Sequence, residues 1–157
     1  AKSPARERAG VLVRQLKDSL MSAMPESKVL IMGDMNDDPD DKSMKTCLGA
    51  VREKKNIKAN SDLYNPWWNI LRKKGVGTLK YKGKWNLFDQ IVLSGNLVGD
   101  DRSTLKLYKT EIFSRGYMFQ QEGRYKGNTK RTHAGGVWLN GYSDHLPVIV
   151  YLVKEAK

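Results

Sequence analysis

The sequence has one cysteine, Cys47, in 157 residues, so no internal disulfide framework can staple the fold. No Cys-His motif accompanies it, and Cys47 is expected to be a small buried residue rather than a catalytic thiol. No apolar run approaches the roughly 20 residues that a membrane span needs. The opening "AKSPARERAG" lacks the apolar segment and cleavage site of a signal peptide. The chain does not begin with Met and reads as a processed or excised piece, from which a targeting signal could have been removed. A soluble protein, secreted or periplasmic if such a signal was lost, fits that reading. There is no internal repeat, low-complexity tract or linker, so residues 1–157 form one domain or part of one.

Acidic residues are also scarce, 17 against 28 Lys and Arg, giving a net charge of +11 and a pI of about 9.7. Such a balance favours polyanionic partners, nucleic acid or an anionic membrane surface. A basic surface kept for solubility reads almost as well. With 39% hydrophobic and 29% charged residues the composition is that of a globular chain.

Ser3-Pro4 is a helix start, with Ser as N-cap and Pro at the first helical position. Ala9, Leu12, Val13, Leu16 and Leu20 recur at helical spacing, so residues 4–23 form an amphipathic helix expected to cover a core with that stripe. "KVLIM" (28–32) is a short apolar run, a strand buried on both faces. Asp40, Asp41 or Ser43 caps a second short helix to about residue 50. "KYKGKW" turns at Lys82-Gly83. "NLFDQIVLSG" (86–95) and "LPVIVYLV" (146–153) are core strands, and "STLKLYKTEIF" (103–113) alternates like a half-exposed one. Residues 114–141 read as a Gly-rich basic loop holding an exposed His133. Strands interspersed with helices give an α/β or α+β class.

Against this basic background, "VLIMGDMNDDPDD" (29–41) gathers five aspartates. A calcium loop of the EF-hand type is excluded, because its sixth position is Pro39, its twelfth is Lys45, and a strand rather than a helix precedes it. Asp34 instead follows the end of a buried strand, where the crevice of an α/β sheet binds ligands. If the backbone stays extended, Asp34 and Asn36 project to the same side. Asp37 to Asp41 then form a solvated turn and helix cap. Asp89 lies in an apolar strand, where an ionised carboxylate is costly unless paired. Asp144 and His145 precede the last strand. Asp89 and His145 could form a carboxylate–imidazole pair, leaving Asp144 to ligate a divalent cation.

"GDMN" (33–36), "NLFDQIVLS" (86–94) and "SDHLP" (143–147) together resemble the closing motifs of the endonuclease/exonuclease/phosphatase family, whose fold is DNase-I-like. The resemblance implies the C-terminal half of a four-layer α/β/β/α sandwich and a metal-dependent phosphoesterase cutting phosphodiesters or phosphomonoesters, a nuclease among the options. It implies Mg²⁺, or Mn²⁺ or Ca²⁺ in its place, held by Asp144 with Asp34 and Asn36. Asp34 would orient or deprotonate the attacking water, or protonate the leaving group. Asn36 would hold a phosphate oxygen or the metal, Asp89 would orient His145, and His145 would contact the scissile phosphate. The family's early Asn, its metal-binding Glu and the His motif before the GDxN strand have no counterpart here. The resemblance thus implies an N-terminal half outside this sequence, weak Mg²⁺ binding and slow or absent turnover by the piece alone. An incomplete sandwich would self-associate through exposed sheet surface.

The substrate is less legible. Arg72 to Lys84 carries six positive charges and no acid, flanked by Trp67, Trp68, Tyr81 and Trp85. These suit a nucleic-acid backbone with stacked bases. They equally suit core aromatics among solvated lysines, with a phosphoinositide or nucleotide as substrate. Two rival functions stand beside the phosphoesterase: a non-catalytic basic module that binds nucleic acid, and a structural remnant in which Asp89 and His145 are a buried pair.

Overall fold

A computed structural model describes residues 3–156. Helix α1 is Pro4–Ala23. Strands follow as β1 Leu30–Asp34, β2 Ala50–Val51, β3 Leu63–Tyr64, β4 Leu79–Tyr81, β5 Lys84–Asn86, β6 Asp89–Ser94, β7 Lys106–Ile112, β8 His133–Ala134, β9 Val137–Trp138 and β10 Val148–Val153. The main sheet has the order β1-β6-β3-β2, and β10 pairs with β7 in a second sheet. The class is mixed α/β, as the sequence implied.

Helix α1 begins where its cap predicts, with the Ser3 hydroxyl accepting the Arg6 amide at 3.4 Å. Its buried face is not the leucine stripe. Leu12, Leu16 and Leu20 are exposed, while Lys17 and Met21 are buried and Val13 packs on the core. Lys17 tolerates burial because its ammonium meets the Ser61 carbonyl and Asp18. Helical spacing finds a stripe but not the side on which the rest of the fold lies.

In β1–β6, Ile31 faces Val92, while Leu30 and Met32 sit opposite Leu93 and Ile91. Strand residues alternate between faces, so each pair marks one side of the sheet. Val92 joins Leu63, Met44 and Leu48 beneath α1. Leu93 and Ile91 pack toward Val150, Leu107 and Val148 of the second sheet. The core is therefore two-sided along β6. It is not so along β1, an edge strand with Leu30 and Met32 exposed. The expectation of a strand buried on both faces is corrected there, because β1 is the edge of its sheet and the second sheet packs against β6. Self-pairing through such an edge remains an expectation.

The Lys82-Gly83 turn joins β4 to β5 with φ of 48° and 80°, the double positive φ of a type I′ hairpin. Residues 84–94 form two strands rather than one, broken at Leu87-Phe88. The second helix is a π-helical segment, Ser43–Leu48, with no side-chain cap. The Asp41 carbonyl, rather than a side chain, accepts the Met44 and Lys45 amides. Among the described residues no helix is long and apolar enough to cross a membrane.

Candidate active site

Asp34 is the last residue of β1 and Asp89 the first of β6, and the register sets them directly opposite each other. Both stand on the face carrying Leu30 and Met32, toward the second sheet. His145, just before β10, bridges to Leu79 of β4. Its Nδ1 lies 2.7 Å from Asp89 Oδ2. A carboxylate can only accept, so Nδ1 carries the proton and Nε2 is left for another partner. Asp89 is thus half-buried at a strand's start, rather than sunk inside a core strand.

Like charges opposite one another on adjacent strands repel. Asp34 and Asp89 hold that position, and His145 completes a group whose ligand atoms lie within 4.8 Å of one another. Two hard carboxylate donors fit a divalent cation, and the imidazole stands beside them.

Asn36 does not continue the strand. It is left-handed, φ 51°, and its amide donates to Asp34 Oδ1 at 2.9 Å. The extended backbone expected here is corrected to a tight turn, which fixes the Asp34 carboxylate from behind. Asp34 and Asn36 still border one cavity, of about 280 Å³. Asp144 is not among the three clustered residues. Its carboxylate meets Arg131 at 3.0 Å, and the Thr129 hydroxyl donates to its carbonyl at 2.7 Å.

The aspartates after Asn36 are not a solvated turn. Asp37 is buried, pairing with Arg6 at 2.9 Å and accepting the Ser43 hydroxyl at 2.6 Å. This pairing holds the Arg6 guanidinium above its usual pKa. Asp38 accepts the Leu87 amide at 2.7 Å, and Asp40 accepts Arg72 Nε at 2.9 Å. They fasten the loop after β1 to α1, to the segment before β6 and to the helical turn at Ile70–Lys74.

Burial pushes the Asp38 carboxyl above its usual range, against the opposing pull of the Leu87 hydrogen bond. For an acid raised in the folded state, that group's stabilising contribution is present below the unfolded pKa and is lost as pH rises through the folded one. Asp38→Asn keeps the acceptor without the charge. It should match or exceed the native chain's resistance to urea at pH 7, and the gain should shrink toward pH 3. A variant less stable at pH 7 would show that the charge itself is needed.

Three buried polar residues position the site without having been singled out in the sequence. Thr78 accepts the Asp89 amide on its hydroxyl at 3.2 Å and the Leu146 amide on its carbonyl at 2.8 Å. It therefore ties the Asp89 strand to the His145 segment. A Cβ at neighbouring Gly77 would lie 2.1 Å from the Asn86 carbonyl oxygen, so only glycine allows that approach. Gln90 donates to the Asp37 and Leu87 carbonyls at 2.8 and 2.9 Å and accepts from Asn65 at 2.7 Å. The signal for Gln90 was present: an amide in an apolar strand needs partners.

The model of the Endonuclease/Exonuclease/phosphatase family matches residues 1–154, nearly the whole chain. The chain belongs to this family. Membership carries a phosphoesterase- or nuclease-type function, and the family generally uses divalent metals. A comparison with curated proteins gave no match.

Proposed function

We propose that this chain carries the phosphate-handling residues of a divalent-cation-dependent phosphoesterase, with Mg²⁺ as the expected ion. The observation that carries the reading is the Asp89–His145 pair at 2.7 Å with Asp34 beside it. As the doubly protonated ring, His145 donates from both nitrogens, through Nδ1 to Asp89 and through Nε2 to a phosphate oxygen. Charge developing on the phosphoryl group meets a donor already held in place. Asp34, fixed by the Asn36 amide, orients the attacking water and takes its proton. The Asn36 side chain offers an amide to a second phosphate oxygen. Bound at Asp34, a divalent cation supplies further neutralisation of phosphate charge. Asp144 would contribute from its ion pair with Arg131 only if that pair opens.

The exposed Leu30 and Met32 beside Asp34, and the exposed leucines of α1, support reading the chain as the C-terminal part of a larger domain. The missing Glu would then lie in that other part. The test incubates the chain with a chromogenic phosphodiester and Mg²⁺, beside a thermal-shift titration of Mg²⁺ with phosphate. Slow hydrolysis that stops in EDTA, with a rise in melting temperature, is expected. Hydrolysis indifferent to EDTA, or neither hydrolysis nor any shift, would remove the reading.

A further inference from the structure

We infer that the segment from Tyr117 to Tyr142 is a stacking platform for an unpaired nucleic-acid strand, delivering its phosphates to the Asp89–His145 site. The inference rests on the phosphoester reading above and names its substrate class. It also relocates the aromatic contacts. Trp67 is wholly buried, with its indole donating to the Ile91 carbonyl at 2.9 Å, so it cannot meet a base. Tyr81 is exposed there, but the larger group of exposed rings lies between Tyr117 and Tyr142.

Tyr117, Tyr125, Trp138 and Tyr142 are each more than half exposed. Removing such rings from water would be favourable, yet the fold leaves all four in solvent. They do not sit on a loose tail. Tyr117 and Tyr142 meet edge to face at 5.2 Å, and His133 and Trp138 at 4.8 Å. The β8–β9 hairpin carries the latter pair in register. The Tyr142 amide donates to the Lys130 carbonyl at 2.8 Å. A Cβ on Gly141 would come within 2.1 Å of the Lys130 carbonyl oxygen, so the two stretches are laced closely. The Thr129 and Arg131 contacts to Asp144 then fasten the segment to the residue before His145.

Cations are interleaved with the rings. Between Arg115 and His133 the only acid is Glu122. Arg124, Lys126 and Lys130 have no carboxylate partner among the described residues. Lys80, on the strand that bridges to His145, lies beside Gly127 and over the Trp85 ring at 5.8 Å. Rings alternating with cations on a fixed scaffold match a sugar-phosphate backbone with bases splayed onto aromatic faces. A duplex hides its base faces, so it can use the cations and not the rings. An anionic bilayer would also take exposed Tyr and Trp, but insertion draws on aliphatic bulk. Here Val137 alone accompanies the rings, and the exposed leucines, Leu12, Leu16, Leu20, Leu30 and Leu105, all lie outside this segment.

The experiment measures fluorescence anisotropy of a labelled thymidine oligonucleotide of ~12 nucleotides in EDTA, where binding is separated from cleavage. The duplex of the same length and phosphatidylserine vesicles are the other arms. The single strand should bind at least tenfold more tightly than the duplex. Tyr117→Ala with Trp138→Ala should lose on the order of tenfold per ring, and Trp138→Phe should restore its share. A thermal melt of each variant separates lost rings from lost folding. Equal binding of strand and duplex, or strand binding unmoved in the double variant, overturns the platform. So does ring-dependent capture by vesicles without oligonucleotide binding. Hydrolysis of the small phosphodiester is scored apart. If the ester is cut while the rings prove irrelevant, only the platform falls. If the rings bind the strand while no ester is cut and Mg²⁺ with phosphate gives no thermal shift, the hydrolytic reading falls.

Discussion

Asp89→Asn should lower kcat for phosphodiester hydrolysis by roughly 10²–10⁴, with KM little changed. The carboxylate accepts the Nδ1 proton of His145 at 2.7 Å. An asparagine accepts there without the charge, or presents its NH₂ group instead, and in either case the ring loses the carboxylate that supports its doubly protonated, Nε2-donating form. Binding of the ester depends on other contacts, so the loss should fall on the chemical step. His145→Ala should cost at least as much. The double variant should be no worse than His145→Ala alone, because Asp89 acts through the imidazole. Steady-state kinetics with Mg²⁺ on the three variants, with melting curves beside them, measures this. An Asp89→Asn variant within about threefold of the native rate would make the pair structural, since even one positioned general acid or base contributes ~10² or more.

The separation of that pair, 56 residues along the chain, did not hide it. Residue type was enough, because a carboxylate in an apolar strand and a histidine entering another each need a partner. The start of α1 was equally legible, because Ser3-Pro4 states it locally. What was not legible depended on strand order and on which face meets what. Leu30 and Met32 look like core residues until β1 proves to be an edge. The leucines of the α1 stripe point outward for the same reason: the helix packs through Val13 of that stripe together with Lys17 and Met21. Asp37 looked like part of a solvated turn because Arg6, its ion-pair partner, lies on a helix that the sequence does not place against it. Thr78 left no local trace, since its role is to join two segments brought together only by the fold. Asp144 is the converse case. Its motif is intact, but Arg131, in a loop of no regular pattern, holds its carboxylate.

Asp37→Ala should destabilise the fold by about 3 kcal/mol, a large share of the 5–15 kcal/mol that holds a typical domain. The Asp37 side chain is 2% exposed and that of Arg6 is 34%. Removal therefore leaves the Ser43 hydroxyl buried without its acceptor and the guanidinium half-buried without its counter-charge. Residual solvent at Arg6 keeps the cost toward the low end of the range for a broken buried pair, ~3–5 kcal/mol. Asp37→Asn keeps an acceptor for Ser43 and should cost less than half as much. The Arg6 pKa is raised, so its share of the stability is fully present below the unfolded value and is lost only at more alkaline pH than proteins are handled in. That share should accordingly be the same at pH 6 and pH 9. Urea unfolding of both variants at the two pH values tests this. The consequence reaches the site as well. Gln90, next to Asp89, donates to the Asp37 carbonyl, and Asp34 and Asn36 stand on the same turn. A chain that kept its native unfolding midpoint after Asp37→Ala would show that this buried pair does not hold the turn.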